Sequence, residues 1–117
     1  MINTLMFTEG ALIGTFEDVT VKILCDDIRV PHVHLYWKGG KGVILLSDIN
    51  ASFSHSIYKD HLSESKFVKF REWLKMQHPL VKNCTNFGYI VALWGMVNNT
   101  LYYGNVDNTI PLYIDEL

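Results

Sequence analysis

His32 and His34 alternate with Val33 and Leu35 in the run Pro31-His32-Val33-His34-Leu35-Tyr36-Trp37. Side chains two positions apart in an extended chain leave on the same side, so this spacing groups two imidazoles with the Tyr36 ring. Such a pair can grip one metal ion or one phosphate. Catalytic zinc needs a third protein ligand and an open position for water. Asp48, His55 or His61 could supply that ligand once the chain folds back. No H-E-x-x-H helix or other complete metal motif accompanies the pair. Two further readings use the same residues: a polar face that contacts a partner, and histidines that serve the sheet itself by bonding or by stacking on Tyr36.

Other chemistry is less well supported. Cys25 and Cys84 are far apart and in no C-x-x-C spacing, and they read as free buried thiols in a reducing compartment. Ser54, His55 and Asp60 contain the residue types of a triad, but no G-x-S-x-G elbow presents a nucleophile. Lys59, Lys66, Lys69, Arg71, Lys75 and Lys82 accompany Tyr58 and Trp73, a combination that could follow a phosphate backbone. The competing reading is a solvated helix face with Trp73 in the core. Tyr36, Trp37, Tyr58, Tyr102, Tyr103 and Tyr113 are the types in which protein interfaces concentrate their energy.

The elements that must position these residues are legible from local pattern. Leu5 to Phe16 is apolar but broken by Gly10 and Gly14, a short strand or irregular lead-in. Val19 to Cys25 alternates, with Val19, Val21, Ile23 and Cys25 on one side. His32 to Trp37 is a second strand, the Gly39-Gly40-Lys41-Gly42 run a hairpin, and Val43 to Ile49 the returning arm. A helix starts at the Ser63 cap and is stopped by Pro79, with Phe67, Phe70, Trp73 and Leu74 on one stripe. Thr85 to Asn98 reads as helix or buried strand. The recurrence of Phe87, Ile90, Val91, Trp94 and Val97 favours helix, capped by Thr85 or Asn86. Thr109 to Ile114 is extended and could add an edge strand.

These parts predict one α+β domain over residues 1–117: an antiparallel sheet of three to four strands with a central hairpin, covered by two helices. Residues 100–117 form a tail or edge strand. The 117 residues, 49% hydrophobic and 13% aromatic, are too apolar for a disordered chain and enough for a real core. The net charge of −2 argues against a strongly basic nucleic-acid module. The longest nearly apolar run, Gly88 to Val97, is well short of the ~18 residues a membrane span needs. Met1 to Val21 carries no Lys or Arg and is interrupted by Glu9, so no secretory pattern is present and a cytoplasmic location is expected. All ten bases lie within residues 22–82, a mildly basic centre between acidic ends.

Pro31-His32-Val33-His34, the glycine hairpin and a helix containing Arg71-Glu72-Trp73 resemble a domain-of-unknown-function family of short bacterial and mobile-element proteins. Its hallmark is a Pro-His-x-His strand followed by a hairpin and one or two helices. The resemblance spans residues 19–98. It implies an α+β fold and a phage-related or toxin–antitoxin setting, and no established reaction.

The sequence thus points to a small non-catalytic protein that binds another macromolecule, with no cofactor and no metal. Its expected contacts are His32, His34, Tyr36, Tyr58, His61, Tyr102 and Tyr103. A protein partner is favoured over nucleic acid, and a homo-oligomer is compatible with the same surface. The alternatives are a metal-dependent hydrolase or nuclease built on His32 and His34, and a nucleic-acid-binding module.

Overall fold

Alternation in the first half of the chain produces a four-stranded antiparallel sheet in the order β1-β2-β3-β4, seen in a computed structural model that describes residues 11–24, 30–49, 63–97 and 109–117. The strands are β1 (Ala11–Phe16), β2 (Val19–Ile23), β3 (His32–Trp37) and β4 (Gly40–Leu45). Of the lead-in, Ala11–Phe16 is a strand, irregular where the register slips between Leu12 and Gly14, and residues 5–10 lie outside the described residues. The β3–β4 turn passes through Gly39 at φ 92°, a conformation that costs glycine no Cβ clash. The returning arm is shorter than the sequence suggests, because Leu46–Asp48 turns into a 3-10 helix.

Val19, Val21, Ile23, Val33, Leu35 and Ile44 form the buried floor, and two helices cover it. Helix α1 (Glu64–Leu74) begins where expected, with the Ser63 hydroxyl accepting from the Lys66 N–H at 3.3 Å. Its stripe of Phe67, Phe70, Trp73 and Leu74 is buried. Phe16 reaches in from the sheet to stack on Phe70 at 5.6 Å between ring centroids. At about 1.5–3 kcal/mol for each large side chain buried, against about 1 kcal/mol for a cap, packing dominates the stability of this helix. The Lys66 ammonium also pairs with Asp18 in the β1–β2 turn and holds that carboxyl below its ordinary range.

The ambiguous segment is a helix, α2 (Asn86–Val97), which buries Phe87, Ile90, Val91, Leu93 and Trp94. Thr85 caps it through a 2.9 Å bond from the Gly88 N–H to the threonine hydroxyl. The Asn86 amide donates to the Trp73 carbonyl at 2.8 Å and so joins the start of α2 to the end of α1.

Of the two alternatives for the C-terminal segment, described from residue 109 onward, the tail is the one seen: residues 109–117 add no strand to the sheet and run along the start of α2. The Thr85 N–H donates to the Leu112 carbonyl at 3.1 Å, and the Thr85 hydroxyl donates to the Pro111 carbonyl at 2.8 Å. Asn83, in the left-handed region at φ 57°, accepts from the Ile114 N–H with its carbonyl and from the Asp115 N–H with its side chain, each at 2.9 Å. Gly88 permits this closeness. A Cβ at that position would lie 2.3 Å from the Leu112 carbonyl oxygen. Unsatisfied groups at a helix start attract a backbone partner, and here the tail supplies it. No helix among the described residues is long and apolar enough to cross a membrane.

Candidate interaction surface

The paired histidines are side by side, as their spacing requires, but their face is not open. His32 is 1% exposed and His34 5%. Their ring centroids are 5.3 Å apart in an edge-to-face arrangement, and Trp94 from α2 meets His32 edge-on at 6.0 Å. His32 Nδ1 bonds the Val30 carbonyl at 2.6 Å. A carbonyl can only accept, so Nδ1 carries the proton of this bond. The expectation of two imidazoles offered to an external partner is corrected by this burial. The same side of the sheet is closed nearby: Trp94 packs on His32, and Val43, directly across from His34 on β4, is itself fully buried.

Tyr36 is half-exposed and stacks on His34 with centroids 6.5 Å apart, with the Lys22 ammonium 5.5 Å from the Tyr36 ring centre. Tyr58, His61, Tyr102 and Tyr103 lie outside the described residues, as do His55 and Cys25. Among the described residues no group of three or more His, Cys, Asp or Glu side chains is placed to hold a metal ion. Trp73, the ring a nucleic-acid surface would use, packs in the core. Cys84 is a free, half-buried thiol that donates to the Thr85 carbonyl at 3.3 Å. Burial pushes its pKa up, which keeps it a thiol at neutral pH and a poor nucleophile.

What the structure does present is the connection between α1 and α2. Met76, Leu80 and Val81 are exposed there, Leu80 at 86%, between the exposed Lys75 and Lys82. This apolar tip is held by its own bonds. The Gln77 amide donates to the carbonyls of His78, at 2.9 Å, and of Val81. The His78 N–H donates to the Cys84 carbonyl at 2.7 Å, and the Leu80 N–H donates to His78 Nδ1 at 3.1 Å. The His78 ring is 3% exposed and stacks on Tyr89 of α2 with centroids 3.8 Å apart. Burial lowers the His78 pKa and keeps the ring neutral, so Nδ1 retains the lone pair that Leu80 needs.

Sequence reasoning missed this loop, because apolar residues just after an amphipathic helix read as more core. The available signal was Met76, Leu80 and Val81 interleaved with Pro79, Lys82 and Asn83, residues of turns and surfaces. The sequence matches no protein-family model, and no curated protein or solved structure is found similar to it. The likeness to the Pro-His-x-His family therefore rests on the residues that suggested it.

Proposed function

We propose that this protein is a non-catalytic interaction module that inserts the 76–82 loop into an apolar recess of a partner protein rimmed by carboxylates. The observation that carries this reading is an exposed leucine on a loop already fixed by its own hydrogen bonds. Binding pays to order loops as well as side chains, and the Gln77 and His78 bonds fix the loop backbone in advance. Burial of the Leu80 side chain contributes about 1.5–3 kcal/mol. Lys75 and Lys82 favour an acidic rim and speed the encounter. The Pro-His-x-His resemblance supports a phage- or mobile-element-encoded inhibitor, or a toxin–antitoxin component, as the setting.

The test is affinity capture from the native host with the wild type and Leu80→Asp as parallel baits, both checked for folding by circular dichroism. Leu80 is almost wholly solvated, so the substitution should leave the fold intact. A protein retained by the wild type and lost with Leu80→Asp supports the reading. Identical sets of retained proteins on the two baits overturn it.

A further inference from the structure

The loop that displays Leu80 is closed on a side chain that titrates. His78 Nδ1 accepts from the Leu80 N–H at 3.1 Å, two residues further on, in the place where an Asn or Asp side chain ordinarily closes such a turn. Pro79 stands between them and has no backbone N–H to offer instead. An Asn side chain accepts at any pH. An imidazole accepts only while neutral, because both ring nitrogens carry protons in the cation. The other loop bonds, from the Gln77 amide and from the His78 N–H, end on backbone carbonyls and do not change with pH.

We propose that the 76–82 loop is an acid-released clasp: protonation of His78 turns Nδ1 from acceptor to donor, sets two N–H groups against each other, and frees Leu80 from its fixed position. The consequence for binding, a weaker hold on the partner in acid, rests on the docking role proposed above for Leu80. The surroundings of the ring favour release over a trapped cation. His78 is 3% exposed and lies against Tyr89 of α2 with centroids 3.8 Å apart. Its N–H meets the Cys84 carbonyl, and Cys84 in turn bridges Tyr113 of the tail. Tyr89, Cys84 and Tyr113 are neutral in mild acid, so none supplies the negative charge that a buried imidazolium needs. Lys75, Lys82, Asp115 and Glu116 are exposed, and none of them shifts the ring: burial is the only cause of its lowered pKa. Each pH unit between about 6.5, the value of a solvated ring, and the lower folded value therefore favours the open loop by about tenfold.

An NMR titration from about pH 8 to about pH 4.5, which brackets the ordinary histidine range, tests the clasp. It follows the Leu80 amide, the His78 ring and, as a marker of the folded sheet, the Leu35 amide of β3. The Leu80 signal should move with the same midpoint as the His78 ring, below about pH 6.5, while Leu35 keeps its position. His78→Asn keeps an acceptor two residues before Leu80 and cannot titrate, so its Leu80 amide should stay in place throughout. A wild-type Leu80 amide that stays fixed while the ring titrates overturns the inference. So does loss of the Leu80 and Leu35 signals together, since His78 would then titrate only through unfolding of the domain. A folded His78→Asn whose Leu80 amide moves as the wild type's does overturns it too. The wild-type titration is decisive even if the variant does not fold. It also separates the clasp from docking. A moving Leu80, with identical proteins on the wild-type and Leu80→Asp baits, keeps the clasp and removes the docking role. A fixed Leu80, with baits that differ, does the reverse.

Discussion

Helices α1 and α2 bury aromatic and aliphatic stripes in one core, yet they are secured in different ways. The start of α1 is specified within four residues, by Ser63 bonding Lys66, and its outer face is solvated by charge. The start of α2 is completed by chain more than twenty residues away. Thr85 bonds Pro111 and Leu112 across sequence separations of 26 and 27, and the outer face of α2 has no charge to solvate it. The first helix carries its instructions locally. The second depends on a distant segment at one end and turns only Ala92 and Met96 fully outward.

Gly88→Ala should break this comparison most. The added methyl meets a backbone oxygen, which can retreat only if residues 109–117 lift away, and overpacking of this kind costs about 1–3 kcal/mol. Urea unfolding should show that loss, together with earlier proteolytic cutting after residue 109. Ser65→Ala on the exposed side of α1 should show neither. An unchanged midpoint for Gly88→Ala would mean that the tail is not what secures α2.

The caps sharpen the contrast. Thr85→Ala removes a hydroxyl that serves the Gly88 N–H and the Pro111 and Leu112 carbonyls inside the fold, and should cost about 1–2 kcal/mol. Ser63→Ala removes two long, exposed bonds, to the Lys66 N–H and the Ser65 hydroxyl, and should cost about 0.5 kcal/mol. Equal losses in paired thermal melts would erase the distinction.

The smallest effect expected is that of acid on the α2 side. The pKa of His78 is lowered by burial, so the unfolded chain takes up the proton more readily than the folded one. The stability that neutral His78 contributes is complete above about pH 6.5 and is lost as the pH falls below that towards the folded value. Urea midpoints should therefore fall more steeply with acid in the wild type than in His78→Phe. Parallel pH profiles would remove His78 from the account.

Much of this fold could be read from neighbouring residues. Alternation marks β2 and β3, the Gly39–Gly42 run marks the hairpin, and Ser63 with the Phe67–Leu74 stripe marks α1. Spacing also placed His32 beside His34 correctly. It could not show whether that side of the sheet was covered, because alternation assigns a side and says nothing of what packs on it. Trp94 lies 62 positions from His32, and the tail lies 26 or more positions from the residues it binds. Contacts at that separation leave no periodic trace in a single sequence. The exposed tip at Leu80 was hidden for a related reason: hydrophobicity alone does not distinguish a core residue from one held outward by a hydrogen-bonded loop.

Strand β3 has a ladder on each flank and buried side chains on both surfaces from His32 to Leu35. Backbone amides so placed exchange their hydrogens only when the domain opens as a unit. The two imidazoles are buried on the same strand. A histidine-directed reagent would meet them only when the packing over that side of the sheet opens, which makes His32 and His34 internal reporters of that opening.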